Sequence, residues 1–234
     1  CGLQCPGPIL KMKKTMDSLV SGDRVEITST DPGFPRDAAA WCNSTGNQLI
    51  SKETAGGKSV VVIEKGEPKS CNIVTSCEGK GKTFIMFSDD LDKALATFVL
   101  ANGAAATGQK VTIFFTFWGL NVIKKLHKPN VEKDIFGKMF GMMLPSSSRK
   151  LKLSKMSMGG IGGKMMRYIM NRKGIDSLES LRQQALENGV EFIACQMSMD
   201  VMGVKQEELL DEVTIGGVAT YMERADNANI NLFI

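Results

Sequence analysis

The sequence predicts an α/β protein built in two parts, and three observations predict it. Residues 1–66 order as helix, strand, helix, strand, strand. A polar, glycine-bearing stretch without a clear period follows over 67–81. Across residues 82–234, from Thr83 onward, apolar strands alternate with helices, the pattern of a parallel sheet covered by helices. The first part reads as a two-layer α/β sandwich and the second as a separate parallel α/β domain.

The elements of the first part follow from spacing. Ile9, Leu10, Met12, Met16, Leu19 and Val20 recur at helical intervals from Pro6 to Val20, and Gly22 stops the helix. Arg24 to Thr30 alternates, with Val25 and Ile27 on one side, as a strand does. Asp31-Pro32-Gly33 is a turn, and Phe34 to Asn43 is a second helix. Gln48 to Thr54 and Ser59 to Lys65 are strands separated by Gly56-Gly57, a hairpin signal. This order leaves room for one more strand ahead of Cys1. The chain opens on Cys1 rather than Met and reads as a segment of a longer polypeptide.

In the second part, Thr83 to Phe87 is a short apolar strand and Leu91 to Ala106 a helix. Val111 to Trp118 is a continuous apolar run, typical of a buried parallel strand. Leu120 to Leu126 begins a helix, and 129–175 reads as irregular and methionine-rich. Asp176 to Asn188 is a helix with Asp176 and Glu179 at capping-box spacing and Gly189 behind it. Val190 to Cys195 is a strand, Gly216 to Ala225 a helix and Ile230 to Ile234 a last strand.

Composition excludes several classes. At 234 residues the chain buries a core without disulfide staples, so its six cysteines do not imply a disulfide framework. A net charge of +4 is too small to argue for nucleic acid, and no aromatic residues interleave with a basic stripe. The uncharged runs Ala94–Gln109 and Val111–Ile123 fall short of the ~18 apolar residues of a membrane span. Peripheral membrane contact stays open. No secretory signal is visible, and a reducing cytoplasm is the expected compartment.

Cys5 is the first candidate nucleophile. It stands just before a helix that begins on Pro6, and proline favours the first helical position. The free N–H groups and positive end of the helix dipole there stabilise a thiolate. Pro6 and Pro8 stiffen the approach. Spacing alone leaves an ordinary helix start equally open, since Cys1 and Cys5 are not a CxxC pair.

The run Gly2-Leu3-Gln4-Cys5-Pro6-Gly7-Pro8-Ile9-Leu10-Lys11 resembles the signature of the TusA family of small sulfur carriers over residues 1–66. The resemblance implies that Cys5 holds sulfane sulfur as a persulfide and passes it to a partner thiol. It also implies that the family's first strand is missing here.

Cys195 is the second candidate. It follows the apolar strand Val190-Glu191-Phe192-Ile193-Ala194 and emerges where parallel sheets place their reaction sites. Gln196-Met197-Ser198-Met199-Asp200 then begins a short helix, whose N-terminus favours an ionised sulfur. A buried, inert cysteine is the competing reading. Residues 82–234 resemble the larger branch of the DsrE-like sulfur-transfer family. Phe87-Ser88-Asp89-Asp90-Leu91-Asp92-Lys93-Ala94, Phe115-Thr116-Phe117-Trp118-Gly119-Leu120, Ala194–Asp200 and Gly216-Gly217-Val218-Ala219 carry that resemblance. It implies a flavodoxin-like fold, a homo-oligomer and a sulfur-accepting cysteine at Cys195, with Gln196 beside it as a supporting residue.

Other features weigh less. Cys42 lies on an amphipathic helix beside Trp41 and is expected to pack. Cys71 and Cys77 do not have zinc-knuckle spacing. His127 is the only histidine, so no metal site is expected, and it reads as a surface residue. From Ile135 to Ile175 no acidic residue interrupts Lys138, Arg149, Lys150, Lys152, Lys155, Lys164, Arg167, Arg172 and Lys173. This is a solvated basic face or a docking surface for an acidic partner, an anionic thiol or lipid headgroups. Gly159-Gly160-Ile161-Gly162-Gly163-Lys164 lacks the Ser or Thr of a phosphate loop and reads as a mobile loop. The methionines around it suit an adaptable apolar surface.

These readings favour sulfurtransfer by thiol-persulfide exchange between Cys5 and Cys195. The sulfur is carried covalently, without a cofactor. A rhodanese or a disulfide reductase is the expected donor, and an acceptor thiol protein the expected recipient. The rivals are a thiol-disulfide or peroxide reductase using Cys195, and a non-catalytic oligomeric docking module.

Overall fold

The computed structural model describes residues 7–31, 34–67, 81–127, 129, 131, 133 and 135–234. The expected linker falls almost wholly outside them.

The first part contains α1 (Gly7–Asp17), β1 (Arg24–Ser29), α2 (Phe34–Thr45), β2 (Gln48–Ala55) and β3 (Lys58–Glu64). The strands form an antiparallel sheet in the order β1-β3-β2. Val61 and Ile63 alternate inward along β3 and meet Ile9, Met12 and Met16 of α1 and Phe34, Ala38, Trp41 and Cys42 of α2. The helices cover one face only, which gives two layers. Gly56 and Gly57 take φ of 59° and 73° at the hairpin, the left-handed pair such a turn requires. Helix α1 stops at Asp17, short of the expected Val20. The Leu19 N–H instead donates to the Met16 carbonyl in a tightened turn, and the Asp23 carboxylate accepts from the Val20 N–H.

The second part contains β4 (Gly81–Met86), α3 (Leu91–Ala106), β5 (Val111–Phe115), α4 (Ile135–Met143), α5 (Ile161–Arg172) and α6 (Leu178–Glu187). It continues with β6 (Glu191–Cys195), α7 (Gln196–Met202), β7 (Thr214–Gly216), α8 (Val218–Asp226) and β8 (Ala228–Phe233). All five strands run parallel in the order β7-β6-β5-β4-β8. The mixed α/β architecture is therefore the predicted one. Under α3 and α6, the rings of Phe98, Phe115 and Phe192 pack with centroids 5.4–6.4 Å apart. Each of these side chains contributes roughly 2–3 kcal/mol through burial. On the opposite face α8 lays Tyr221 over Phe114 at 5.2 Å, beside Ile193 and Cys195.

Several local expectations are corrected. The run through Trp118 is not all strand: β5 ends at Phe115, and Phe117–Ile123 is a 3-10 helix rather than the start of an α-helix. The Gly119 N–H donates to the Phe87 and Thr116 carbonyls, which tightens the turn. Residues 129–175 are not irregular throughout, since α4 and α5 lie within them. The glycine run is not a loop: Gly160 caps α5 with φ 97°, and Gly162 and Gly163 are buried inside it. A Cβ on Gly162 would stand 2.1 Å from the Met156 carbonyl oxygen, so these glycines permit close packing rather than motion. Ser177, not Asp176, caps α6, its hydroxyl accepting from the Ser180 N–H. Asp176 accepts instead from Ser180 Oγ and Gln184 Nε2. Gly216 closes the unpredicted strand β7, which pairs with β6 and displaces the start of the following helix to Val218.

The two parts touch at the amino-terminal edge of the parallel sheet. Trp41 Nε1 donates to the Ala106 carbonyl at the end of α3, and Ala106 joins the smaller core.

Candidate functional site

Four chain segments meet at the carboxyl-terminal edge of the parallel sheet. They follow β4 at Phe87–Asp90, β5 at Thr116–Trp118, β6 at Cys195 and β7 at Gly216–Gly217. Parallel sheets present reactive groups there because the strands end together and the next helices begin.

Cys195 is both the last residue of β6 and the N-cap of α7, with extended backbone at φ −72° and ψ 113°. Its side chain falls on the α8 face of the sheet, because Phe192 and Ala194 belong to the α3/α6 core and Ile193 and Cys195 to the α8 cluster. In the ladder it pairs with Gly216. Gly217, next in sequence, is the N-cap of α8. The strand carrying the thiol therefore ends at the start of α7, and its ladder partner directly precedes the start of α8. Cys195 is 6% exposed. A Cβ built on Gly217 would meet nothing within 4 Å, which leaves open space beside the thiol's ladder partner.

The adjoining edge is tied by polar contacts. Thr116 Oγ1 and Ser198 Oγ share a buried hydrogen bond of 2.8 Å, joining the end of β5 to the first turn of α7. Asn121 Nδ2 donates to Asp89 Oδ2 at 2.9 Å. Burial raises the Asp89 carboxyl above its ordinary range, and the Asn121 hydrogen bond opposes that rise. Asn121 Oδ1 is buried without a partner among the described residues. Phe117 takes a φ of 47°, an uncommon conformation for a bulky residue.

The predicted site residues divide between this edge and positions outside it. Cys5 and Pro6 lie outside the described residues, as do Cys1, Cys71 and Cys77. Pro8 is buried in the first turn of α1. Gln196 is exposed and donates from Nε2 to Asp200 Oδ1 at 2.9 Å, along its own helix. His127 is exposed. Cys42 is 2% exposed, and burial pushes its thiol up to about 11. Of the basic series, Arg167 pairs with Glu179 at 3.2 Å and donates to the Ser148 carbonyl. The others are exposed. Among the described residues no group of three or more His, Cys, Asp or Glu is placed to hold a metal, and no helix is long and apolar enough to cross a membrane.

Residues 79–233 match the model of the DsrE/DsrF/DrsH-like family, and residues 1–65 match that of sulfurtransferase TusA. The chain belongs to the DsrE/DsrF/DrsH-like family, with a TusA segment ahead of the DsrE-like part. Over 155 residues it is 44% identical to the uncharacterized Bacillus subtilis protein YrkE, covering 66% of this chain and 97% of that protein. It is 38% identical over 161 residues to the sulfur carrier protein DsrE2 of Allochromatium vinosum, covering 67% of this chain and 99% of the relative. Its TusA segment is 42% identical over 64 residues to the sulfur carrier protein TusA of the same organism, 27% of this chain and 84% of that one. Membership of these families assigns the chain to sulfur carriage in general terms.

In the DsrE-like part, the four runs that carried the sequence resemblance all map to the carboxyl edge. Sequence reasoning did not assign roles to Thr116, Ser198, Asn121 or Asp89. The one local signal was Asp89-Asp90 directly after a strand. The pairing of Thr116 with Ser198 spans 82 positions and needs the fold to be seen.

Proposed function

We propose that the chain is a sulfurtransferase that relays sulfane sulfur as cysteine persulfide, with Cys5 as the carrier thiol and Cys195 as the second thiol. The observation that carries the reading is the position of Cys195, at a strand's carboxyl end and at the start of α7, in a chain that also holds a TusA segment. In the reaction, a Cys195 thiolate attacks the terminal sulfur of a donor persulfide. The donor's sulfur–sulfur bond breaks as the new one forms on Cys195. The released donor thiolate takes up a proton, so nothing is oxidised or reduced overall. The same exchange runs at Cys5, ahead of the helix whose first turn Pro8 stiffens. Gln196, exposed beside Cys195, is a supporting residue available to an incoming partner. The donor is a rhodanese or a disulfide reductase, and the recipient is an acceptor thiol protein. The sulfur is substrate, and the exchange requires no cofactor.

Mass spectrometry of the full chain after incubation with a persulfide donor tests this. The expected product carries one added sulfur atom on Cys5 or Cys195, removable by reductant. Cys5→Ser and Cys195→Ser each lose the adduct at their own position. An unmodified chain that steadily consumes peroxide would sink the reading in favour of a reductase.

A further inference from the structure

Helix α5 carries apolar residues on two sides. Gly162, Gly163 and Met170 are buried, and Met166 packs against the larger core. The opposite side holds Ile161, Met165 and Tyr168 at helical spacing, exposed at 65%, 47% and 66%. Lys164 and Arg172, both exposed, stand on that side too. A surface helix ordinarily turns polar residues outward, so packing within the domain does not account for this outer apolar stripe.

The stripe adjoins further apolar side chains. A Cβ on Gly162 would meet the Met156 carbonyl oxygen and the Leu153 side chain, which seats the start of α5 on the segment ahead of it. Met142, Met143, Lys150, Lys152 and Ser157 line one concavity, and Ser157 stands between Met156 and Met158. All four of these methionines are exposed. Adjoining apolar protrusions of this kind mark contact with a protein or a membrane.

Cations surround them. From Ile135 to Ile175 the chain holds six lysines, three arginines and no acidic residue. Apart from Arg167, these cations form no ion pair among the described residues. The acids that approach from other segments are engaged: Glu179 with Arg167, Asp90 with Lys93, Asp92 with Ser154 and Asp89 with Asn121. The face is positive, and its complement is negative.

The composition favours lipid over protein. In a two-fold dimer through this face, the cations of one copy would meet those of the other. Protein interfaces are depleted in lysine and enriched in arginine, the reverse of the six to three found here. Lysine suits a bilayer surface, where its stem lies along apolar neighbours and its ammonium reaches the headgroups. Tyr168 suits the same level, with an apolar ring and a hydroxyl that stays wet.

We propose that the face built from the end of α4, residues 150–158 and α5 docks on an anionic lipid bilayer, with α5 lying in the plane of the headgroups. Ile161, Met165 and Tyr168 enter the acyl boundary, and the lysines and arginines hold anionic headgroups. Docking does not depend on the reading of either thiol.

Co-sedimentation of the full chain with vesicles tests this. Vesicles of equal parts phosphatidylcholine and phosphatidylglycerol are expected to bind it at least about tenfold more tightly than pure phosphatidylcholine, a difference that shrinks as salt rises. Lys164→Glu/Arg172→Glu weakens that binding at least about tenfold. Met165→Ser/Tyr168→Ser, at exposed positions where the circular dichroism spectrum stays unchanged, weakens it at least about fivefold. Failure to bind the phosphatidylglycerol vesicles overturns the proposal, and retention of the chain on polyglutamate in that case assigns the face to an acidic protein. Full binding by either double variant overturns it as well.

Discussion

Cys42 and Cys195 are buried to nearly the same extent, 2% and 6%, each in an apolar cluster but at different places in their elements. Cys42 sits inside a helix among Ile, Met, Phe and Trp side chains, and burial alone pushes its thiol up to about 11. Cys195 sits where a strand ends and a helix begins, with a glycine opposite it in the ladder. Equal burial thus places one thiol within a helix and the other at a junction between a strand and a helix. The same contrast separates the apolar core of the TusA segment from the carboxyl edge of the DsrE-like part.

The largest expected effect that tests this contrast is in labelling. At neutral pH the Cys42 thiol of the native chain reacts with iodoacetamide at least about 100-fold more slowly than in the urea-unfolded chain, because a rise of two pKa units removes that share of thiolate. Equal rates for Cys42 in the folded and unfolded chain, read by peptide mass mapping, would show that its burial does not hold the proton.

The next effect concerns the rigidity of the carboxyl edge. A Cβ on Gly119 would stand 1.9 Å from the Met86 carbonyl oxygen. Gly119→Ala is expected to destabilise the DsrE-like part by about 3 kcal/mol or more, measured by urea unfolding. A loss under about 1 kcal/mol would show that the turn over the strand ends gives way easily.

The smallest effect lies in the TusA core. Cys42→Ser buries a hydroxyl in an apolar site and costs about 2 kcal/mol, while sulfur uptake by the DsrE-like part is unchanged. The wild-type chain carries a linked pH dependence. The folded state holds the Cys42 proton more tightly than the unfolded state. Its contribution is fully present below about 9 and is lost as pH rises through about 11. Unfolding midpoints from pH 8 upward check the sign, and Cys42→Ser removes that part of the slope.

Much of this was legible in the chain itself. Alternation at Val61 and Ile63, the paired glycines of the hairpin, and the apolar strands ending at Phe115 and Cys195 follow from periods of two and 3.6. So does the packing role of Cys42. The motif around Cys5 and the runs at Asp89, Phe117, Cys195 and Gly216 pointed to both families. The misreadings lie where local signals compete with packing. Gly159–Gly163 has the composition of a loop, yet it starts a helix, because glycine lets that helix press against the Met156 carbonyl. Phe117 ends a strand that its apolar neighbours would extend, because Gly119 must turn under Phe87.

The sequence by itself determined the two-part α/β organisation, the position of Cys195 relative to a helix start, and the family. These rest on neighbours within a few residues of each other. Only the tertiary structure decided that β6 lies between β5 and β7. That order sets Cys195 against Gly216 and ties Thr116 to Ser198. Those contacts join residues many positions apart, and their geometry comes from strand order and register, which no local period encodes.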